Sequence, residues 1–340
     1  MYEQGVIRPP SEASSLLVRV TRNCPWNQCS FCMSYKREKF SRRSVDEVKK
    51  DIDALAKEYG DYPVRTVFLQ DGDTLVLKTE DVLEVLRYLK QKFPTIVRVT
   101  SYARAPTLKK KSVQELKRLK EAGLTRLHVG MESGSGKVLK MIKKGITEDD
   151  IVIGGTHAKE AGIELSEYIM PGVGGRTLSE EHALETARLL NMIQFDFIRV
   201  RTFAMHRRSS MQEMVKNGTF LPMTDEEVIR EIRLLLENLN EMHSYFSCGD
   251  HGLNLLMDVN GYLDENKEEM LKVLDDYLSL SKEQKQAYSL LKRGSYGNLP
   301  IDAVRNEDNM KQIRPELERI ERTEKGGIDG YLNRLMSRLA

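Results

Sequence analysis

Residues 19–32 read RVTRNCPWNQCSFC and contain three of the four cysteines of this 340-residue chain. Cys24, Cys29 and Cys32 are separated by gaps of four and two residues, so one loop brings three sulfur atoms to one small site. Soft thiolates favour iron–sulfur clusters, zinc or copper(I) over hard cations. A cubane cluster normally takes four cysteines, so three cysteines predict an iron with a free position for another ligand.

A structural zinc ion is the alternative to a cluster at this loop. The fourth ligand would then come from Cys248, the remaining cysteine, or from a histidine. Zinc sites commonly consist of two paired Cys-x-x-Cys knuckles, whereas this chain has one such pair and a single flanking cysteine. The spacing therefore favours an iron–sulfur cluster over zinc.

The chain around this loop alternates between apolar, strand-like runs and helical patterns. Strands are predicted at residues 16–21, 64–70, 95–101, 126–131, 163–170 and 195–201. Helices are predicted at residues 44–59, 80–93, 112–122, 136–143, 147–161 and 179–192. Such βαβ units predict an α/β fold, as a partial (β/α)6 TIM-type barrel or, alternatively, a doubly wound sheet. In the barrel, functional residues follow the carboxyl ends of the strands, which is where the cysteine loop lies.

The pattern divides the chain into four segments, and its length suits one barrel-type domain with an extension. They are an N-terminal lead-in (1–15), the barrel (16–220), a C-terminal helical extension (221–300) and a charged helical tail (301–340). Helices of the extension are predicted at residues 224–240, 253–258, 266–278 and 282–292. This extension is expected to set substrate specificity at the barrel mouth.

The cysteine loop, with Phe31 directly before Cys32, resembles the signature of the radical S-adenosylmethionine (radical SAM) superfamily, although the usual first gap is three residues. In that family three cysteines hold a [4Fe-4S] cluster. Its free iron binds the amino and carboxylate groups of S-adenosylmethionine, and the aromatic residue packs near the adenine. The resemblance covers residues 16–201, and residues 130–145 are similar to oxygen-independent coproporphyrinogen oxidases and methylthiotransferases.

The resemblance also implies cofactor-binding residues at the strand ends. Gly72 and Asp73 occupy the place of the family's Gly-Gly-Glu motif, which binds the amino group of S-adenosylmethionine, and Asp71 replaces its first glycine. An ammonium group can pair with the shorter acid through a charge-assisted hydrogen bond. Ser101 and Tyr102, at the end of the third strand, offer a hydroxyl and a ring to the ribose or carboxylate.

Three further candidates follow the fourth and fifth strands. In the similar proteins, the residue at the place of Glu132 contacts the cofactor ribose and a basic residue at the place of Lys144 faces its carboxylate. Ser133 lies beside Glu132 in the same turn. Gly172 belongs to a glycine-rich turn that lets the backbone approach a ligand. The acid that these relatives carry near the place of Tyr168 is missing here.

Cys248 and His251 are the reactive pair outside the predicted barrel. In a catalytic role, Cys248 would donate a hydrogen atom or form a covalent intermediate, with His251 as its base. In the alternative, which we favour, Cys248 is a small buried hydrophobic residue and His251 has its hydrogen bonds satisfied.

Charge and hydropathy restrict the partners. With 53 basic and 51 acidic residues the formal net charge is +2, which gives no global reason to expect nucleic acid. A basic run at residues 36–43 is suited to an anionic substrate or an acidic electron donor such as flavodoxin or ferredoxin. No apolar stretch approaches the roughly 20 residues that span a bilayer. Free thiols and an oxygen-sensitive centre predict the cytoplasm of an organism with anaerobic metabolism.

The resemblance thus implies an oxidoreductase or lyase that reductively cleaves S-adenosylmethionine to a 5′-deoxyadenosyl radical, which abstracts hydrogen from a small-molecule substrate. One alternative is a non-catalytic iron–sulfur or haem carrier on the same barrel, by analogy with coproporphyrinogen oxidase relatives that have lost their oxidase activity. The other is a zinc-stabilised barrel enzyme. The sequence does not choose the substrate, because many reactions begin from the same radical.

Overall fold

The computed structural model of the chain describes residues 2–36, 39–295 and 299–338. Its strands are β1 (Leu16–Arg19), β2 (Thr21–Arg22), β3 (Ser41–Arg42), β4 (Thr66–Gln70), β5 (Arg98–Ala103), β6 (Leu124–Glu132), β7 (Glu164–Ile169), β8 (Phe197–Val200), β9 (Tyr245–Ser247) and β10 (Asn260–Tyr262). None of the helices in these residues is both long and apolar enough to cross a membrane.

The helices lie between these strands and after them. They are α1 (Val45–Tyr59), α2 (Thr79–Lys92), α3 (Ala105–Lys110), α4 (Val113–Glu121), α5 (Gly136–Met141), α6 (Glu148–Glu160), α7 (Gly175–Ile193), α8 (Met211–Lys216), α9 (Asp225–Glu237), α10 (Leu263–Leu278), α11 (Lys282–Ser295), α12 (Glu307–Thr323) and α13 (Gly327–Met336).

The main sheet has eight strands in the order β1-β4-β5-β6-β7-β8-β9-β10, and β2 pairs with β3 separately. Pairing is parallel from β1 to β6, with Leu16 opposite Val67 and Thr66 opposite Arg98, and antiparallel between β9 and β10. Because neighbours in the sheet follow chain order, the arrangement is that of a (β/α) barrel and not of a doubly wound sheet, whose strand order reverses. The predicted α/β class is confirmed.

The chain folds as two compact units. The first comprises residues 1–131, 143–168 and 192–197, and the second comprises residues 132–142, 169–191 and 198–340. The predicted division at residues 15, 220 and 300 stays a prediction.

In the first unit, helices cover strands that are buried along nearly their whole length. Val67, Phe68 and Leu69 of β4 have no exposed surface, and Ile52 of α1 is equally buried. Helix α1 begins where expected, because the Ser44 hydroxyl accepts from the amide of Glu47 in a capping box. Helix α3, which was not predicted, begins with Pro106 in its first turn, where the missing amide hydrogen is tolerated.

In the second unit, the predicted helix at residues 253–258 is wrong. These residues form turns, although Leu253, Leu255 and Leu256 are buried as in a helix that packs on a core. The cause is Asn254, whose side chain bonds to backbone groups of Thr202, Val200 and Cys248. These contacts fix the local chain in an irregular path, in competition with helix formation.

Candidate functional site

The cysteines lie on a long loop whose neck is closed by the β2–β3 pair, with Thr21 opposite Arg42. Two asparagines bend this loop on either side of Cys24, since Asn23 has φ 67° and Asn27 has φ 45°. Asparagine is among the few residues that occupy this left-handed region readily. Both side chains then brace the loop: Asn23 donates to the carbonyl of Lys39 at 3.0 Å and Asn27 to that of Tyr35 at 2.6 Å.

A buried carboxylate anchors the loop to the end of β4. Oδ2 of Asp71 accepts from the backbone amide of Asn23 at 3.0 Å and from Nε of Arg19 at 2.8 Å. Arg19 is also paired with Glu3 at 2.7 Å. Burial raises the pKa of Asp71, and the hydrogen bonds from Asn23 and Arg19 oppose that rise. Asp71, which replaces a family glycine, therefore holds the cysteine loop in place.

Gly72 packs directly against the first cysteine. A Cβ atom at this position would lie 3.0 Å from Cβ of Cys24 and 3.3 Å from the ring of Tyr35. Burial raises the pKa of Tyr35, and the nearby Asp71, Cys24 and Cys32 raise it further. Two of the three thiols thus lie close to one buried ring, and the missing side chain of Gly72 lets the backbone pack against them.

The three loop cysteines are partly exposed, whereas Cys248 is buried. Partly exposed soft donors on one loop match the ligand requirement of an iron–sulfur cluster that keeps one iron open. Gly72 lies so close to Cys24 that a side chain at this position would crowd the first cysteine. The residues present therefore fit the [4Fe-4S] cluster that the resemblance implies.

The other first-unit candidates differ in what their side chains can reach. Asp73 is fully buried and accepts a hydrogen bond from the Thr107 hydroxyl at 2.5 Å, while burial raises its pKa to about 6. Ser101 is also buried, and its hydroxyl has two carbonyls within hydrogen-bond distance, that of Tyr102 at 3.0 Å and that of Leu69 at 3.3 Å. Both groups are thus engaged within the fold.

Tyr102 points to the opposite face of β5 from Ser101, as alternate strand residues do. Its ring packs edge-to-face on Phe68 and His128, with centroids 5.1 and 6.1 Å apart. Phe31, which lies between Cys29 and Cys32, contacts Lys144, the residue expected to face the carboxylate of the cofactor. Nζ of Lys144 lies 5.9 Å from the Phe31 ring centroid. The structure therefore places Phe31 beside Lys144.

In the second unit, the turn after β6 rests on helix α7. Glu132 ends the strand with φ 65° and is 8% exposed. The hydroxyl of Ser133 lies 2.8 Å from Nδ1 of His182, and the amide of Gly134 donates to Thr186. A Cβ on Gly134 would lie 2.3 Å from the carbonyl oxygen of Glu185, so only glycine fits there.

A buried acid links this helix to the glycine-rich turn after β7. Oε1 of Glu231 accepts from the amide of Gly172 at 2.7 Å and lies 3.5 Å from Nε2 of His182. Burial lowers the pKa of His182 to about 4 and raises that of Glu231 to about 7. Ser133 and Gly172 are thereby connected through two residues that the sequence did not single out. No short motif marks His182 or Glu231, because their contacts come from distant segments.

Cys248 and His251 have separate surroundings. Burial raises the pKa of the Cys248 thiol, which disfavours the thiolate that a nucleophile needs. Nδ1 of His251 accepts from the backbone amide of Leu253 at 3.2 Å. Burial, with Arg201 nearby, lowers the pKa of His251 to about 4. Their catalytic role stays a prediction.

The predicted basic run is only partly available to a partner, and its residues 37–38 lie outside the described residues. Lys36 and Lys39 are exposed. Arg43 is buried, where it donates to Asp51 at 2.6 Å and to the carbonyl of Arg19 at 2.7 Å. Arg43 therefore holds the loop neck to helix α1.

Several curated proteins resemble the chain. The heme chaperone HemW of Bacillus subtilis is 24% identical over 226 residues, which are 64% of this chain and 58% of that protein. The tRNA-2-methylthio-N(6)-dimethylallyladenosine synthase of Fusobacterium nucleatum is 25% identical over 263 residues, 76% of this chain and 50% of that protein. A tRNA uridine(34) acetyltransferase of Methanocaldococcus infernus is 25% identical over 122 residues, 36% of this chain and 23% of that protein. The chain thus spans less than two thirds of these relatives.

Among solved structures, coproporphyrinogen III oxidase (HemN) from Escherichia coli matches with a TM-score of 0.50 and 17% identity, over 66% of this chain and 52% of that one. At this identity the match shows the fold alone, which is the α/β partial barrel. The model of the "Radical SAM superfamily" matches residues 18–190, about half of the chain, including the cysteine loop and strands β4 to β7. The chain therefore belongs to the radical SAM superfamily, whose members use a [4Fe-4S] cluster and S-adenosylmethionine.

Proposed function

We propose that the chain is an enzyme that cleaves S-adenosylmethionine reductively and uses the resulting radical to abstract hydrogen from a small-molecule substrate. Cys24, Cys29 and Cys32 would hold the cluster. One observation carries this proposal: a single braced loop presents three partly exposed thiols, while Cys248 is buried. A purely structural ion would not need ligands that remain open to solvent.

When bound, such a cluster supplies one electron for cleavage of S-adenosylmethionine to methionine and a 5′-deoxyadenosyl radical. The protein's part is to bind, orient and shield the cofactor. Phe31 offers a ring to the adenine, and the neighbouring ammonium group of Lys144 would pair with the cofactor carboxylate. Because the Asp73 carboxylate is engaged by Thr107, we assign the cofactor's amino group to backbone carbonyls at Gly72 and Asp73.

Other roles are supported by the resemblance and by no direct contact. They concern Ser101 and Tyr102, Glu132 as the ribose contact, Ser133 in the same turn as Glu132, and Gly172 in the glycine-rich turn after β7. An external one-electron donor such as flavodoxin or ferredoxin would supply the electron, and the exposed Lys36 and Lys39 favour an acidic donor surface. The cytoplasm suits this oxygen-sensitive chemistry.

Anaerobic reconstitution with iron and sulfide tests the proposal. After reduction with dithionite, we expect 5′-deoxyadenosine from S-adenosylmethionine by mass spectrometry. The single Cys24→Ala, Cys29→Ala and Cys32→Ala variants should lose both cluster and product. Cys248→Ala is the matched control and should retain both.

Two other results would contradict the proposal in different ways. A protein that binds the cluster but neither changes on addition of S-adenosylmethionine nor forms 5′-deoxyadenosine would indicate the iron–sulfur or haem carrier instead. Colourless protein that binds one zinc per chain in air and takes up no iron would indicate the zinc-stabilised barrel.

A further inference from the structure

Trp26 is the one tryptophan of the chain, and it lies between the first two cluster cysteines. Its side chain docks on residues 143–145. Nε1 of Trp26 donates to the carbonyl of Lys143 at 2.8 Å. The four-residue gap between Cys24 and Cys29 thus carries a contact to a segment more than a hundred residues further along the chain.

The docking surface for the indole is shaped to receive it. Gly145 has φ 65°, and a Cβ there would lie 2.2 Å from atoms of the indole ring. On another side, the guanidinium carbon of Arg104 lies 5.3 Å from the ring centroid, within the range of a cation–π contact. The same guanidinium group donates to the carbonyls of Lys144 at 3.0 Å and Gly145 at 3.1 Å.

These contacts form a clamp, which we define as Trp26, Arg104 and Gly145. Its effect is to fix the backbone at Lys144 against the cysteine loop. Lys144 extends from this segment so that its ammonium group lies over Phe31. The ring on the cysteine loop and the cation on residues 143–145 are therefore held as one unit by a contact that need not touch the cofactor.

We propose that Trp26 is a positioning residue: it couples the cysteine loop to Lys144, so that S-adenosylmethionine meets Phe31 and Lys144 in fixed relative positions. The inference rests on the proposed function of Lys144 as the partner of the cofactor carboxylate. It assigns a task to the extra residue in the first cysteine gap. It also makes the tryptophan a native fluorescent reporter of the loop.

The first arm of the test uses the apoprotein and needs no activity. Gly145→Ala should expel the indole, which red-shifts the tryptophan emission and increases its quenching by acrylamide. Gly162→Ala is the matched control, because Gly162 has φ 74° and nothing within 4 Å of an added Cβ. It carries the same backbone strain without the clash, so its emission should match that of the wild type. Equal emission in both variants would overturn the docking.

The second arm uses the reconstituted proteins. Trp26→Phe and Gly145→Ala should bind as much iron and sulfide as the wild type, since all three cysteines remain. The S-adenosylmethionine concentration that half-saturates the change in the EPR spectrum of the reduced cluster should rise roughly tenfold in both, since a hydrogen bond and a cation–π contact are lost. Gly162→Ala should titrate like the wild type.

The outcomes separate this inference from the proposed function. If the wild-type cluster shows no response to S-adenosylmethionine, the proposed function fails. If the wild type responds and both clamp variants titrate as it does, the positioning role of Trp26 fails alone. Loss of iron from Trp26→Phe to the level of the cysteine variants would also overturn it, because Trp26 would then retain the cluster itself.

Discussion

Asp71 shows that a residue can be essential to the cysteine loop without being a ligand. Its carboxylate has no exposed surface and receives both the Asn23 amide and the Arg19 guanidinium group. The sequence placed it in a motif that binds cofactor, where it replaces a glycine. The structure shows a buried acid that organises the backbone, because its partners come from the strand and loop before the cysteines.

We predict that Asp71→Ala lowers the free energy of unfolding of the apoprotein by about 3 kcal/mol, since the buried Nε of Arg19 and amide of Asn23 both lose their acceptor, although Arg19 keeps its pair with Glu3. Iron uptake on reconstitution should fall as well, because the Asn23 amide loses its acceptor. Urea denaturation and iron assay measure the two effects. Asp61→Ala, at an exposed position, is the control, and a similar result for both variants would refute the anchor.

His182 and Glu231 should give stability terms of opposite sign. Between pH 4.5 and 7 the folded state keeps a proton on Glu231 that the unfolded state has lost, so this group makes unfolding free energy fall as pH rises. Between pH 4 and 6.5 the unfolded state holds a proton on His182 that the folded state lacks, so this group makes the free energy of unfolding rise as pH rises. The two contributions therefore oppose each other in the wild type.

Single substitutions should reveal each term. Relative to the wild type, Glu231→Gln should gain stability as pH rises from 4.5 to 7, and His182→Asn should lose stability as pH rises from 4 to 6.5. Each change should be on the order of 3 kcal/mol. Denaturant unfolding across this range measures them, with exposed Glu241→Gln as the flat control. Slopes of the same sign in both variants would contradict the neutral buried pair.

The turn at residues 248–258 illustrates how one side chain can replace a secondary-structure element. Oδ1 of Asn254 accepts from the amide and hydroxyl of Thr202 at 2.8 and 2.9 Å. Nδ2 donates to the carbonyls of Val200 and Cys248 at 2.7 and 2.8 Å. All four hydrogen-bonding positions of the amide are used, so the end of β8 and the Cys248 turn are joined by one buried group.

We predict that Asn254→Ala destabilises the chain by about 3 kcal/mol, because several buried backbone groups lose their partners at once. The thermal midpoint in differential scanning calorimetry should fall correspondingly. Asn333→Ala, on the exposed face of α13, should change stability by less than about 0.5 kcal/mol. An Asn254→Ala variant as stable as this control would show that water replaces the bonds.

Sequence patterns predicted the elements that are long and mostly apolar. The apolar runs at β4 and β6 and the helices predicted from residues 44 and 224 all appear in the structure, where Ser44 and Thr224 cap α1 and α9. The patterns missed β9 and β10, since three residues are too few to show a period. They also wrongly predicted a helix at residues 253–258, because closely spaced leucines that are buried in the core resemble the apolar face of a helix.

For the chain as a whole, local sequence patterns identified part of the site, and the rest depends on contacts between distant residues. Spacing alone identified the three cysteines, because their chemistry is local. Asp71, Trp26 and Glu231 act through partners far away in sequence, so only three-dimensional contacts could assign their tasks. The strand order follows the chain order, which is why a one-dimensional pattern sufficed for the fold class.

Cluster loading should stabilise the chain as a whole, since a group that binds only the folded state shifts the unfolding equilibrium by mass action. We predict that reconstitution raises the thermal midpoint by at least about 5 °C and that removal of iron by a chelator reverses the rise. Anaerobic calorimetry measures both. Cys24→Ala should show no rise, and a rise equal to that of the wild type would place the bound iron elsewhere.

The division of the cysteines into three partly exposed thiols and one buried thiol has a practical consequence. Brief alkylation of native protein should add three labels to the apo form, none to the loaded form, and four after denaturation. Intact mass spectrometry then resolves loaded and apo molecules as separate peaks, whereas the absorbance of the cluster gives only the average loading of the sample. Cys248 serves as the internal standard, since its label appears only when the chain has opened.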